Sequence, residues 1–148
     1  MTTKTKLAPL NIGVRDNQLL VDKNGDKFVD LLSDLGWDYQ RMSRSGRETY
    51  DEIMQMLGII KPDEVYHLGA QSYVDYSFKD EFSTLNTNIN GTHYILSALK
   101  EFSPKTKFYF AGSSEMYGKV RQIPQTEKTP FYPRSVYGIS KVAGFDLT

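Results

Sequence analysis

Tyr137-Gly138-Ile139-Ser140-Lys141 sets a phenol and an ammonium four residues apart, on one face of any helix that contains them. A positive charge at that distance favours the phenolate. A phenolate near neutral pH takes the proton of an alcohol while a hydride acceptor such as a nicotinamide takes the hydride. Alone, the pair is a weak signal, because it recurs by chance in many helices. Ser113-Ser114-Glu115 sharpens it: Ser113 lies 24 residues before Tyr137, at the exit of a predicted strand, and a carboxylate follows it two positions later.

These residues need a scaffold, and the pattern supplies one after residue 47. Tyr50, Ile53, Met54 and Leu57 mark a helix face that Gly58 and Pro62 stop. Glu64 to Leu68 forms a short strand running into Gly69-Ala70-Gln71-Ser72. Leu85, Ile89, Thr92, Leu96 and Leu99 step by 4, 3, 4 and 3, an amphipathic helix ending before Pro104. Lys107 to Gly112 is a second short strand, followed by a Pro- and Thr-rich loop over residues 118–133 and then the Tyr137 helix. Helices alternating with short buried strands predict an α/β chain with a parallel sheet, whose ligands bind beyond the strands' carboxyl ends. Residues 69–72 and 112–115 both fall there.

The first 46 residues are less legible. Gln18 to Asp30 reads as a β-hairpin turning at Asn24-Gly25. Asp22, Asn24 and Asp26 alternate as in a calcium loop, but the glycine comes too early and the closing glutamate is missing. Residues 31–46 show no period, and Trp37 with Arg41, Arg44 and Arg47 reads as an exposed polar loop rather than a phosphate site.

Composition excludes several classes. Lys+Arg 18 balances Asp+Glu 18, so no basic field favours nucleic acid or an anionic membrane. No apolar run approaches the roughly 18 residues of a membrane span. The first residues lack a secretory apolar stretch, and cysteine is absent, which excludes disulfides and thiolate catalysis and fits a cytoplasmic address. His67 and His93 are too few and too scattered for a metal site, and His67 reads as a core histidine within its strand. Aromatic residues crowding 108–137 read first as core.

Taken in order, three segments resemble the extended short-chain dehydrogenase/reductase superfamily, and within it most closely the GDP-mannose 4,6-dehydratase family. They are Pro62 to Ser72 (PDEVYHLGAQS), Phe108 to Gly118 (FYFAGSSEMYG) and Phe131 to Lys141 (FYPRSVYGISK), with Asn88-Ile89-Asn90-Gly91-Thr92 as a further helix signature. The resemblance runs from about Lys61 to Leu147, and FYPRS before Tyr137 is its most distinctive piece. It implies a partial Rossmann-like parallel sheet with flanking helices, in which the first strand and glycine-rich loop are not recognisable. Gly13, Gly25, Gly36 and Gly46 lie 12, 11 and 10 residues apart, so no GxxGxxG precedes residue 58. Residues 1–46 match no part of the family, and residues 47–148 read as an incomplete NADP-binding domain.

The resemblance also implies roles. Tyr137 is the base for the sugar's C4 hydroxyl and, with Lys141, binds the cofactor, Lys141 contacting the nicotinamide ribose; Ser113, in place of the family's usual threonine, hydrogen-bonds the reacting oxygen. Glu115 is the acid/base that takes the C5 proton and expels the C6 hydroxyl as water, a residue that related epimerases usually lack. Leu68, Gly69 and Ala70 let the cofactor approach the strand end. Ser72, Ser113 and Glu115 face the sugar, Gln71 faces cofactor or hexose, and Asn88 is a structural brace. The implied cofactor is NADP and the implied substrate GDP-mannose or a similar nucleotide sugar; relatives commonly form homo-oligomers. The alternatives are a nucleotide-sugar epimerase or reductase of the same superfamily, or a non-catalytic remnant, with weak or no turnover expected of the isolated 148 residues.

Overall fold

The computed structural model describes residues 10–15, 18–22, 38–42 and 46–148. The chain divides into two compact units, Met1–Gly69 with Tyr94–Tyr109, and Ala70–His93 with Phe110–Thr148.

The first unit carries the sheet. Strands β1 (Leu10–Arg15), β2 (Gln18–Asp22), β3 (Asp38–Met42), β4 (Glu64–His67) and β5 (Lys107–Phe110) stand in the order β3-β1-β2-β4-β5. β1 is antiparallel to both β2 and β3, whereas β2 and β4 are parallel. β4 and β5 also advance together: the Lys107 N–H donates to the Asp63 carbonyl at 2.9 Å, and the Tyr66 and Tyr109 rings meet at 5.9 Å. Among the described strands, four therefore share one direction and β1 opposes them. The strand expected from Gln18 is β2, but its hairpin partner is the preceding β1, and β1 and β4 occupy both its edges. The turn expected at Asn24-Gly25 lies outside the described residues, as do the rest of the calcium-like loop after Asp22, Trp37 and Arg44. Arg41 falls in β3 and Arg47 in the next helix, so neither is in a loop.

Helix α1 (Gly46–Ile60) buries Ile53 and Leu57. Gly58 does not stop it. The helix ends where Lys61 turns left-handed at φ 45°, donating its N–H to the Leu57 carbonyl at 3.0 Å, and Pro62 then forbids continuation. Ile53, Leu57, Val65, Ile95, Ala98 and Leu99 form the core of this unit. Burying each larger aliphatic side chain there stabilises the fold by about 1.5–3 kcal/mol. His67 is buried in the same sheet, 6.1 Å from the Phe108 ring. β5 is less buried than expected: Lys107 and Tyr109 are exposed.

The helix expected over residues 85–99 is instead three pieces. Following α2 (Val74–Ser77), α3 (Glu81–Leu85) passes through a π-helical turn, Asn86–Asn90, into α4 (Gly91–Phe102). Asp80 starts α3 by accepting the Ser83 N–H at 3.0 Å. The buried stripe runs through Thr84, Asn88, Thr92, Ile95 and Leu99, while Leu85, Ile89 and Leu96 are half-buried.

The second unit ends in helix α5 (Val136–Leu147), preceded by a 3-10 turn, Ser114–Met116. Its long loop is closed at the base by the Tyr132 backbone, whose N–H donates to the Met116 carbonyl and whose carbonyl accepts the Lys119 N–H, both at 3.1 Å. Gly118 makes this closure feasible, with φ +48° and only 2.3 Å between a would-be Cβ and the Tyr132 carbonyl oxygen. Gly118→Ala should lower stability by about 2–4 kcal/mol, the sum of left-handed strain and a backbone clash. Chemical denaturation measures it; an unchanged midpoint would contradict this account.

Candidate functional site

Ser113, Glu115, Tyr137 and Lys141 all belong to the second unit. The chain leaves β5 through Ala111 and Gly112, and Ser113 sits extended at the cap of the 3-10 turn. The Ser113 Oγ accepts the Glu115 N–H at 3.2 Å, and its own N–H points to the Met116 sulfur at 3.4 Å. Since the Ser113 hydroxyl oxygen is engaged as an acceptor, its proton remains to be given elsewhere.

Ser135 caps α5, its Oγ accepting the Gly138 N–H at 3.0 Å and donating to Glu115 Oε2 at 3.5 Å. One buried hydroxyl thus links the helix start to the carboxylate. Contact between the two segments is close: a Cβ built on Gly138 would lie 2.6 Å from the Glu115 carbonyl oxygen. Tyr137, the residue before that glycine, is buried.

Lys141 is also buried, 5% exposed. Its Nζ donates to the Ala111 carbonyl at 2.7 Å and lies 4.9 Å from the Phe110 ring and 5.8 Å from the Tyr137 ring. Burial disfavours the ammonium and lowers its pKa to about 8. The lysine therefore remains charged at neutral pH, beside the phenol, in a poorly solvated place.

The remaining expected residues divide. Leu68 and Gly69 belong to the first unit, Leu68 being 36% exposed. Ala70 is buried in the second unit and Ser72 is exposed. Gln71 is spent on its own turn: its Oε1 accepts the Tyr73 N–H at 2.6 Å and its Nε2 donates to the Tyr73 carbonyl at 3.2 Å. Asn88 braces the same turn, with Oδ1 accepting the Gln71 N–H at 2.7 Å and Nδ2 donating to the Gln71 carbonyl at 3.1 Å. Its Nδ2 also donates to the Ser140 Oγ at 2.8 Å.

Sequence reasoning missed Ser135 and Ser140. For Ser135 a signal existed, a serine immediately before a helix, the commonest cap. The aromatic crowding is packing: Phe131 meets Tyr117 at 5.1 Å and Phe145 at 5.3 Å, both edge-on. Among the described residues no His, Cys, Asp and Glu group could hold a metal ion, and no helix is long and apolar enough to cross a membrane.

Residues 46–148 match the family model described as GDP-mannose 4,6 dehydratase. The GDP-mannose 4,6-dehydratase of Vibrio cholerae serotype O1 is 45% identical over 98 residues, covering 65% of this chain and 26% of that protein. The human GDP-mannose 4,6 dehydratase is 44% identical over 95 residues, covering 63% and 26%. The chain thus spans about a quarter of these relatives. Among solved structures, RMD from Pseudomonas aeruginosa, complexed with NADPH, is 35% identical at TM-score 0.57, covering 64% of this chain and 33% of that one. The UDP-Glc/GlcNAc 4-epimerase of Campylobacter jejuni, 20% identical, reaches TM-score 0.71 over 86% of this chain and 39% of its own, a likeness of fold alone.

Proposed function

The chain belongs to the GDP-mannose 4,6-dehydratase family, and from that premise we propose that Ser113, Glu115, Tyr137 and Lys141 are the reacting part of a nucleotide-sugar 4,6-dehydratase site. The observation that carries this reading is the junction of two segments, the turn with Glu115 against the helix start with Tyr137, 2.6 Å from backbone oxygen to would-be Cβ. An acid/base and a phenolic base on two segments in contact suit a reaction that moves two different protons.

Tyr137 takes the proton from the C4 hydroxyl of GDP-mannose, and Ser113 donates its remaining hydrogen bond to that oxygen. Glu115 removes the C5 proton, made acidic by the new ketone, and returns a proton to the departing C6 hydroxyl. Lys141 keeps positive charge beside the phenol. NADP, when bound, supplies the hydride acceptance and return. A phenol and an ammonium beside each other fit the nicotinamide-ribose end of such a cofactor, and residues 47–148 supply part of its binding domain. The cysteine-free composition fits a cytoplasmic setting.

A second reading, a folded but non-catalytic remnant, draws on the missing glycine-rich turn. Each lost backbone hydrogen bond to a charged diphosphate removes about 1.5–3 kcal/mol. Both readings are tested together. Purified chain is incubated with GDP-mannose and NADP, and residues 46–148 are grafted in place of the matching segment of the Vibrio cholerae relative. The chain alone should form little 4-keto product and the graft should form it readily. A folded, cofactor-binding graft without product would refute the dehydratase reading, and rapid turnover by the chain alone would refute the remnant.

In the graft, Glu115→Gln should reduce water loss at least about 100-fold while C4 oxidation, followed as cofactor absorbance, persists. An epimerase would hardly respond.

A further inference from the structure

We propose that Ser140 is a positioning residue for Tyr137 and Lys141, its hydroxyl joining the helix that carries both to Asn88 and through it to the turn at Gln71.

Ser140 lies inside the Tyr-Lys motif and is 1% exposed. Its Oγ donates to the Tyr137 carbonyl at 2.7 Å and accepts from Asn88 Nδ2 at 2.8 Å, across 52 residues of sequence. Asn88 in turn has its amide oxygen and both amide hydrogens engaged, two of the three bonds going to the Gln71 backbone. Asn88 is 3% exposed and Gln71 6%. A buried amide with its bonds all made is costly to displace, because any movement leaves polar groups unpaired without water to replace the partner. Such a crosslink resists rotation and sliding of α5 against the Gln71 turn.

Asn88 lies within the π-helical turn, between the buried Thr84 and Thr92. The wider turn at Asn86–Asn90 interrupts the α-helical ladder, and the Thr92 hydroxyl donates to the Asn88 carbonyl at 2.7 Å. On α5, the residue after Ser140 is Lys141, whose Nζ reaches the Ala111 carbonyl only while the helix keeps this rotation. Tyr137 sits one turn earlier on the same face.

The role in the reaction rests on the dehydratase reading, whereas the experiment needs no turnover. In the whole chain, carrying 13C at the lysine ε carbons, Lys141 should titrate near 8 in the wild type. Ser140→Ala and Asn88→Ala should each move that midpoint up toward the ordinary lysine range, and the double variant no further than either alone. Asp80→Ala, which removes the α3 cap in the same unit, should leave it in place, separating positioning from general loosening. An unmoved midpoint in Ser140→Ala and Asn88→Ala overturns the proposal. So does an equal movement in Asp80→Ala, or a wild-type Lys141 already in the ordinary range. If Ser140→Ala does not fold, the wild-type Asn88 side-chain amide decides: exchange with water slower than that of exposed Gln122 supports the crosslink, and equally fast exchange overturns it.

Discussion

Alanine at Gly138 is expected to lower turnover of the grafted enzyme about 100-fold while most of its stability remains, since an ångström-scale misplacement of reacting groups costs that much. The added methyl would lie 2.6 Å from the Glu115 carbonyl oxygen, 3.1 Å from Pro133 Cβ and 3.2 Å from Ser135 Oγ. None of these is the far end of a flexible side chain. The Glu115 oxygen is backbone, Pro133 is a ring, and Ser135 is held by its cap bond to the Gly138 N–H. The helix start must therefore withdraw from the 3-10 turn, which separates Tyr137 from Glu115 and strains the Ser135 link to the carboxylate.

Two stability effects compete in that variant. Alanine in place of glycine within a helix gains about 1 kcal/mol, and overpacking loses about 1–3 kcal/mol. The net loss should be no more than about 2 kcal/mol by denaturation, small beside the effect on rate. A variant with full turnover, or one whose activity falls only in proportion to unfolding, would mean that the contact does not set the geometry of the site.

Legibility of this chain depended on where apolar side chains reported the structure. Tyr137, Lys141, Ser113 and Glu115 were placed from spacing and local strand and helix pattern, and they share one unit. In the helix over 85–99 the expected Thr92 and Leu99 are buried, but Thr84, Asn88 and Ile95 complete the stripe where the pattern points to Leu85, Ile89 and Leu96. Buried polar residues satisfied by one another leave no hydrophobic period, and a π turn adds a phase shift that a 3.6-residue template does not contain. Gly138 did carry a signal, since a glycine inside a helical pattern requires a packing reason. The sheet misled in a different way. Gln18 to Asp30 reads as a hairpin turning at Asn24-Gly25, whereas β2 pairs back to β1 and on its other edge to β4, a pairing that joins residues far apart in sequence and leaves no local mark. Register with a distant strand is decided by tertiary packing, which alternation within one strand does not encode.

Lys141→Met is expected to remove a pH dependence of stability that the wild type shows between about pH 8 and 10.5, the interval between the buried midpoint and the ordinary lysine value. The sign follows from proton counting. Below pH 8 folded and unfolded chains both carry the proton, and folding bears the full cost of burying an ammonium. Between the two midpoints the folded lysine has released its proton and the unfolded one has not, so unfolding takes up a proton and stability rises with pH. Above the ordinary value the slope vanishes. The gain across the interval is at most about 3 kcal/mol, at 1.36 kcal/mol for each pH unit of displacement. Methionine keeps much of the apolar stem and cannot titrate, so its variant should lack the slope, and the difference between the two chains cancels other groups that ionise in the same range. Denaturant unfolding at several pH values from 7 to 10.5 measures it. Parallel curves for the two proteins would mean that Lys141 is solvated. Against that outcome stands its geometry: the ammonium is held by one carbonyl at 2.7 Å and two aromatic rings, a charge kept beside Tyr137 at neutral pH at the expense of stability. That expense is what a catalytic lysine would carry and a solvated helix lysine would not.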